Sequence, residues 1–391
     1  MTRYKKRKIR GLAKFCIMLI FPLTAAGLIN GADNIGGFMQ KAGSISLGKN
    51  EQVQNFAGIK SENLSVYSLE DGEDLFNEDY MLSEGYGVTA ETEDTIDSVE
   101  TVNPLEIISD NPGAKPYPSE NEWVEGGSII RTTYGEFSGN TYFNLQKCGQ
   151  VNNKTTVPNQ TLIDESRYLP DFTISDTEEP QVLIYHTHTT ESFEPYVRDF
   201  FDAQFNYRTT DETKNMVMVG EEICKQLEAN GIGVIHAKDI HDYPSYNGSY
   251  ARSRDTISAI LEQHPSIKVV LDIHRDAIAN DSGAYQPFTV INGREAAQIM
   301  IISGCDDGTL DMPNYMKNFR FASSLQQQLE GDYPGLTRPI LFDYRKYNQD
   351  MTTGSLLIEV GSHGNTLEQA QYSGQLIGSS LAKLLNSLKR G

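Results

Sequence analysis

The stretch "VLIYHTHTTESF", residues 182–193, joins an apolar run to a cluster of polar side chains. Val182–Tyr185 suits a strand that is buried on both faces, as strands of parallel sheets are. Two histidines, three threonines and a glutamate then follow within the next six positions. Because ligands of parallel α/β sheets bind at the carboxyl ends of the strands, the stretch predicts a buried strand that ends at a functional edge.

Similar apolar runs recur further along the chain. They are "GVIHA" (233–237), "IKVVLDIH" (267–274), "QIMIISG" (298–304) and "SLLIEVGS" (355–362). Helical patterns separate them, such as the apolar stripe at 216–227 with Gly231 just past its end. Thr366 and Gln369 form a capping-box pattern that starts the last helix. This alternation predicts that residues 181–391 form an α/β domain, with a mostly parallel, twisted sheet flanked by helices.

The N-terminal 35 residues have the pattern of a membrane anchor. Five basic residues at positions 5–10 precede an uncharged run, residues 15–32. A basic flank before an apolar run keeps the N-terminus in the cytoplasm and places the following chain outside. The run is at the short end for a membrane span, and the small residues in "TAAGLINGA" suit a signal peptidase. We predict an uncleaved single-pass anchor in the cell membrane, with a cleaved signal peptide as the alternative; both place the domain outside the cytoplasm.

An acidic segment follows the predicted anchor. Residues 71–110 contain thirteen Asp or Glu and no Lys or Arg, and such a segment repels itself and buries too little apolar surface to fold. We therefore predict a disordered acidic linker at residues 36–125. Residues 126–180, with β-prone pieces such as "SIIRTTYGEF" and "TLIDESRYLPDFTI", are predicted as a strand-rich lead-in. The formal net charge of −20 argues against nucleic acid as a partner, because phosphate binding needs clustered Lys and Arg.

Three of the predicted strands end in, or contain, side chains that carry chemistry. His186, His188 and Glu191 follow the first strand, His274 ends the third, and Glu359 lies inside the last. The carboxyl ends of parallel strands meet at one edge of a sheet, so we expect these residues to share a cleft. A single histidine at a strand end is more often a hydrogen-bonded structural residue, and it is the joint pattern that indicates a site.

These residue types favour a catalytic zinc site. Such sites use three protein ligands, often two His and one Glu, and keep a fourth position for water, whose pKa falls to about 7. We predict His188, Glu191 and His274 as ligands, because the H-x-x-E spacing lets one turn of backbone bring two side chains to one ion. His186 is the alternative to His188, since residues two apart in an extended chain face the same way. Glu359 is the predicted general base, which takes the proton of the water and passes it to the leaving nitrogen.

Arginines near the predicted site offer a way to hold an anionic substrate. Arg275 directly follows His274, and Arg252 and Arg254 lie in the segment after the second strand. A guanidinium binds a carboxylate with two parallel hydrogen bonds, so we predict Arg275 and Arg252 as substrate-binding residues. Structural ion pairs explain the same arginines equally well.

Four segments of the chain resemble the signature segments of the stage II sporulation protein P family of endospore-forming bacteria. They are "VLIYHTHTTESF", "HDYPSYNGSYARS", "VVLDIHRDA" and "LLIEVGSHGNTLEQA", within residues 181–388. The resemblance implies the fold of zinc amidases and carboxypeptidases, a zinc cofactor, and N-acetylmuramoyl-L-alanine amidase activity that removes stem peptides from peptidoglycan. It also implies endopeptidase activity on peptide crosslinks and a role in engulfment during sporulation. The implied partners are the sporulation protein D glycosidase and the polytopic sporulation protein M.

One departure from related amidases concerns the first histidines. Ordinary cell-wall amidases of this fold carry a Gly-His-Gly-Gly turn after the first strand, where this chain has His186, Thr187 and His188. Which histidine binds metal therefore stays open. Two other functions compete with the amidase: a zinc carboxypeptidase that trims stem peptides, which needs a cationic pocket for a terminal carboxylate, and a non-catalytic scaffold that binds the cell wall.

Overall fold

The described part of the chain alternates between strands and helices. The computed structural model describes residues 113–119, 121 and 123–389. The strands are β1 (Glu125–Thr132), β2 (Tyr142–Asn144), β3 (Gln150–Asn153), β4 (Val182–Tyr185), β5 (Phe200–Asp202), β6 (Val234–His236), β7 (Val269–Asp276), β8 (Ala279–Asn280), β9 (Gly283–Ile291), β10 (Arg294–Ala297), β11 (Ile299–Cys305), β12 (Ile340–Tyr344) and β13 (Gly354–Ser362). The helices are α1 (Asn159–Glu165), α2 (Met216–Ala229), α3 (Ser249–Gln263), α4 (Tyr315–Asp332) and α5 (Leu367–Ser387).

Two predicted segments lie outside these residues, namely the anchor at 1–35 and the acidic stretch at 71–110. Among the helices of the described ranges, none combines the length and the apolar character that a membrane crossing requires. The predicted anchor therefore stays a prediction from the sequence.

Eight strands form the main sheet, in the order β2-β3-β12-β11-β13-β7-β4-β6. β13, β7, β4 and β6 run parallel to one another, and β12 is parallel to both β3 and β11. The predicted α/β architecture with a mostly parallel sheet is therefore confirmed. The prediction of a parallel strand at 298–304 holds on one side only, because β11 is parallel to β12 but antiparallel to β13. Between β7 and β11 the chain forms only strands, with no helix to carry it back to the opposite edge, so β11 starts near the edge where β7 ends.

A second sheet, which the sequence analysis did not predict, has the order β10-β9-β1-β5, with β8 paired to β9. β1 comes from the predicted lead-in at 126–180, whereas β2 and β3 from the same segment join the main sheet, so the lead-in is not a separate unit. Its piece "TLIDE" forms most of α1 and not a strand. Pro158 precedes this helix with φ at −59°, close to the value that the proline ring imposes, and Leu162 of the helix is buried in the core.

Helices cover both faces of the main sheet. Along β4, Val182 and Ile184 belong to the core cluster that includes side chains of α2, α4 and α5, whereas Leu183 and Tyr185 belong to the cluster that includes α3. Alternate residues of a strand face opposite sides, which is why an all-apolar run predicts burial on both faces. Burying one Leu or Ile side chain contributes roughly 1.5–3 kcal/mol, so the strands that carry the functional edge are anchored by this core.

The ends of two helices follow their sequence signals. At the start of α5, the Thr366 side chain accepts from the Gln369 amide, and the Gln369 side chain accepts from the Thr366 amide, as the capping box predicts. Gly231 lies two residues past α2 with φ at +71°, a left-handed conformation that glycine adopts without strain.

The segment that leads into the domain packs against it. The Tyr117 hydroxyl donates to Phe193 O at 2.7 Å. The Arg198 guanidinium lies 4.1 Å from the centre of the Trp123 ring, within range of a cation–π interaction. Tyr117 and Trp123, which the sequence analysis placed in the linker at 36–125, therefore contact the folded domain.

Candidate active site

The carboxyl ends of β4, β7 and β13 meet at one edge of the main sheet, and a cleft opens there. The residues that line the cleft are His188, Glu191, Tyr246, Tyr250, His274, Arg275, Ala277, Leu357 and Glu359. Four of the predicted site residues thus come together, namely His188, Glu191, His274 and Glu359, with Arg275 beside them. His186 and Arg252 are not among the lining residues.

A tight turn after β4 carries His188 and Glu191. The Glu191 amide donates to His188 O at 3.1 Å, so the chain turns within the H-x-x-E segment. The Arg275 amide donates to Glu191 Oε2 at 3.1 Å and fixes that carboxylate. His274 Nδ1 lies 3.7 Å from Glu191 Oε2, and the His188 and His274 rings stand nearly perpendicular with 5.1 Å between their centroids. Two imidazoles and one carboxylate are therefore close neighbours in the cleft.

His186 points away from the cleft into the protein. Its Nδ1 lies 2.9 Å from Ile273 O, and its Nε2 lies 2.9 Å from His236 Nε2. The expectation that His186 and His188 face the same way is wrong, because β4 ends at Tyr185 and the chain enters a turn at Thr187, between the two histidines. The geometry therefore favours His188 over His186 as a ligand.

Acidic groups surround the His274 imidazole. His274 Nε2 lies 2.8 Å from Asp272 Oδ1. Burial by itself lowers the pKa of His274, but the nearby carboxylates of Asp272, Glu191 and Glu359 outweigh it and raise that pKa. Burial raises the pKa of the Glu359 carboxyl, the charge of Asp276 raises it further, and His274 opposes both. The titratable groups of the cleft thus lie close enough to shift one another's pKa values, as groups of an active site commonly do.

The donor types in the cleft fit a zinc ion. Two imidazoles and a carboxylate are the ligand set of many catalytic zinc sites. His188 Nδ1 and Glu359 Oε2 are buried without a hydrogen-bond partner, and buried polar atoms of this kind call for a bound group or a function. Within the described ranges, no three His, Cys, Asp or Glu side chains converge closely enough to hold a metal ion as they stand. Binding would therefore require the side chains of His188, Glu191 and His274 to move closer together.

The arginines predicted to bind substrate are occupied within the protein. Arg252 donates to three backbone carbonyls, those of His241, Ser245 and Asn247. Arg254 forms a bidentate pair with Asp350, at 2.8 and 2.7 Å. Arg275 donates to two backbone carbonyls, those of Ser192 and Tyr207, each at 3.3 Å. The structure therefore gives Arg252 a structural role in place of the predicted substrate contact, and Arg275 holds the turn that carries Glu191.

Sequence reasoning missed the side chains that hold the candidate ligands. Tyr246 and Asp242 lie in the quoted segment "HDYPSYNGSYARS", on the loop that follows β6, and Asp272 lies inside β7. The sequence did indicate that the loop after β6 lies near the site, because β6 is parallel to β4 and the carboxyl ends of both strands lie at the same edge of the sheet. The signal for Asp272 was a charged residue inside an apolar strand, which is costly to bury without a partner. Arg208, which pairs with Asp242, gave no such signal.

Comparisons with known proteins support one family. The profile described as "Stage II sporulation protein P (SpoIIP)" matches residues 130–382. The "Stage II sporulation protein P" of Bacillus subtilis (strain 168) is 30% identical over 201 residues, which cover 49% of this chain and 47% of the relative. The chain thus spans about half the length of that curated relative.

Solved structures give distant likenesses. The N-acetylmuramoyl-L-alanine amidase AmiC2 of Nostoc punctiforme is 11% identical with a TM-score of 0.33, over 55% of this chain and 98% of that one. An N-acetylmuramoyl-L-alanine amidase from Clostridium difficile 630 is 15% identical with a TM-score of 0.32, over 54% and 97%. A metallo-carboxypeptidase from Burkholderia cenocepacia is 9% identical with a TM-score of 0.30, over 61% and 70%.

Proposed function

Because this chain belongs to the stage II sporulation protein P family, we propose that it is a zinc-dependent peptidoglycan hydrolase that acts in sporulation. The proposed reaction is cleavage of the amide bond between N-acetylmuramic acid and L-alanine, with further action on peptide crosslinks. One observation carries the proposal: His188 and Glu191 from one segment of the chain, and His274 and Glu359 from two distant ones, line a single cleft at the carboxyl edge of the sheet.

The four residues have two proposed roles. His188, Glu191 and His274 are metal ligands, and Glu359 is the general base. A zinc ion bound by His188, Glu191 and His274 would polarise a substrate carbonyl and acidify a water molecule. Asp272 lies beside His274 Nε2, and the Arg275 amide donates to Glu191 Oε2, so each of these two ligands has a neighbour that restrains it. The three ligands would still have to move closer together to bind one ion.

Glu359 is suited to move the proton. It is 3% exposed and its Oε2 has no hydrogen-bond partner, so one carboxylate oxygen is available in a nearly dry cleft. In the proposed reaction, Oε2 accepts the proton of the attacking water and returns it to the leaving nitrogen. The burial of Glu359, which is costly for a carboxylate, is explained by this task.

The location and partners are part of the proposal. The basic cluster and uncharged run at residues 5–32 support a single-pass anchor in the cell membrane, with the domain on the outer side, where peptidoglycan lies. The sporulation protein D glycosidase and sporulation protein M are proposed partners on the strength of family membership alone.

The competing functions have less support. A carboxypeptidase needs a cation that faces the terminal carboxylate of its substrate, and the guanidinium donors of Arg252 and Arg254 bond to groups of the protein itself. A scaffold that only binds the wall would leave the buried Glu359 carboxylate without a purpose.

The test is to incubate the purified full-length protein with crosslinked peptidoglycan and zinc and to identify the products by mass spectrometry. We expect free stem peptides that begin with L-alanine. Glu359→Gln should slow their release by roughly 10²–10⁴-fold, the usual contribution of a general base. Glu368→Gln, a change at an 83% exposed side chain, is the control and should leave the rate unchanged.

Other products would contradict the amidase. Stem peptides that stay on the glycan but lose C-terminal residues would identify a carboxypeptidase. Intact peptidoglycan that retains the protein, with zinc bound, would identify a binding module.

A further inference from the structure

The loop between β6 and α3, residues 237–248, has no role in the chemistry described so far, although it forms one wall of the cleft. Arg252 fixes the loop from inside through its hydrogen bonds to three of the loop's carbonyls. Asp242 ties it to the first strand end, because it accepts from the Thr190 amide at 3.1 Å and from the Thr190 hydroxyl at 2.6 Å. The loop is therefore held in register with the turn that carries His188.

Tyr246 is the residue that this loop brings to His188. The Tyr246 hydroxyl lies 3.2 Å from His188 Nε2. The two rings stack at 15° with 4.6 Å between their centroids, and the Arg208 guanidinium lies 5.1 Å from the centre of the Tyr246 ring. The plane of the His188 ring is therefore set by stacking and by a hydrogen bond at one nitrogen only.

The other nitrogen of His188 is in the opposite situation. Nδ1 is buried and has no hydrogen-bond partner. A neutral imidazole carries its proton on one nitrogen, and a metal-bound histidine commonly donates the other N–H to an oxygen. If Nε2–H donates to the Tyr246 oxygen, the lone pair of Nδ1 is free for a ligand.

His274 also has an oxygen near its Nε2. That nitrogen lies 2.8 Å from Asp272 Oδ1 without forming a hydrogen bond, while Nδ1 lies 3.7 Å from Glu191 Oε2. The Nδ1 atom of His274 is therefore on the side of Glu191, another candidate ligand.

We propose that Tyr246 is a positioning residue, whose hydroxyl accepts the Nε2 proton of His188 and so makes Nδ1 the metal-binding atom. Tyr246 acts through His188 and does not itself touch metal. The inference rests on the zinc site of the proposed function and is independent of which bond the enzyme cleaves.

Metal binding at Nε2 of His188, in place of Nδ1, would predict the opposite effect of removing the Tyr246 hydroxyl. If the metal bound His188 at Nε2, Tyr246 would occupy the ligand position, and removing its hydroxyl would strengthen binding. The sign of the change in zinc affinity therefore distinguishes metal binding at Nδ1 from metal binding at Nε2.

The experiment measures the zinc affinity of the full-length protein and of Tyr246→Phe by competition with a fluorescent chelator. Tyr246→Phe keeps the stacked ring and removes only the hydroxyl. We expect the dissociation constant to rise about 10- to 100-fold, as for loss of a partner that orients a ligand. Tyr372→Phe is the matched control, since its hydroxyl donates to Ile291 O on another part of the domain, and it should bind zinc like the parent protein.

A second readout needs no zinc. Spectra of ¹⁵N-histidine-labelled, metal-free protein near pH 7.5 report which nitrogen of His188 carries the proton, and Nε2–H is expected. Tighter zinc binding by Tyr246→Phe, unchanged zinc binding, or an Nδ1–H tautomer would each overturn the inference. If Tyr246→Phe binds zinc more weakly but the parent protein hydrolyses no peptidoglycan, the inference holds and the proposed activity is refuted.

Discussion

Two histidines that are two residues apart have different environments in this protein. His188 lines the cleft beside Glu191 and His274, whereas His186 is fully buried and bonds to Ile273 O and His236. The difference arises because β4 ends before both residues, so the alternation of a strand no longer applies. The same residue type therefore has a candidate role in chemistry at one position and a structural role at the other.

Alanine substitution should separate the two roles. His188→Ala removes a proposed zinc ligand, so we expect zinc content to fall below about half an equivalent with little change in the stability of the metal-free protein. His186→Ala should retain zinc but lose about 1–3 kcal/mol of unfolding free energy, because its buried partners are left unpaired. Zinc content by elemental analysis and urea unfolding with a chelator present would measure both; a His186→Ala protein that is stable but free of zinc would reverse the assignment.

The His186–His236 pair also makes stability depend on pH. Burial lowers the pKa of His186 to about 3, with the charge of His236 adding to it, and burial lowers the pKa of His236 to about 4. Glu221 lies 3.6 Å from His236 Nδ1, but its side chain is 41% exposed and water screens its charge. Both histidines are therefore neutral in the folded protein at pH 5, where the unfolded chain binds protons at its ordinary pKa of about 6.5.

We expect stability to fall as pH falls below about 6.5. The unfolded state then binds more protons than the folded state, so the free energy of unfolding decreases, by roughly 2 kcal/mol for His236 between pH 7 and pH 5. Urea unfolding across this range, with a chelator present, measures the loss. His236→Gln should show a shallower pH dependence, and an equal slope in both proteins would refute the prediction.

At the scale of elements, glycines let helices approach their neighbours closely. A Cβ atom on Gly378 in α5 would lie 2.7 Å from Ile223 O in α2, and one on Gly220 in α2 would lie 2.5 Å from His236 Nε2. Because neither position carries a side chain, α5 packs closely against α2, and α2 packs closely against the buried His186–His236 pair. Helix periodicity predicts the helices, but it does not reveal which face must be free of a side chain.

Alanine substitution in two helices should have opposite effects. Gly378→Ala should destabilise the protein by about 1–3 kcal/mol, because its methyl group meets backbone that cannot move without disturbing both helices. Gly331→Ala in α4, where a Cβ would meet only Cys148 Sγ at 3.7 Å, should stabilise the protein by up to about 1 kcal/mol through helix propensity. Thermal unfolding of both variants measures this, and a stabilised Gly378→Ala would show that α2 and α5 are packed more loosely.

At the scale of the whole domain, residues just before β1 pack near the candidate active site. Residues 113–119 and Trp123 precede β1, yet Tyr117 bonds to Phe193 O, two residues beyond Glu191. The Tyr117, Trp123 and Phe205 rings contact one another edge-on, at 5.0 to 6.1 Å between centroids. The segment thus supports the loop that continues from the turn carrying His188 and Glu191.

Trp123 reports on this contact, since it is the one tryptophan in the sequence. Tyr117→Ala should shift the Trp123 emission to longer wavelength and lower the unfolding free energy by roughly 1–2 kcal/mol, from lost ring packing and an unpaired carbonyl. Tyr168→Ala, at a residue that is 57% exposed, is the control and should change neither quantity. Unchanged emission in Tyr117→Ala would mean that the packing around Trp123 does not depend on the Tyr117 ring.

The sequence by itself determined the α/β class, the inner strands, the capping box of α5 and four residues of the candidate site. These features depend on local patterns: apolar runs that suit two-sided burial, and polar residues where such runs end. The tertiary structure decided that β11 is antiparallel to β13, that a second sheet forms, and that His188 and not His186 lines the cleft. It also decided the partners of the arginines and the contact of Tyr246 with His188. These features depend on which distant segments of the chain come into contact, and local sequence patterns do not identify such contacts.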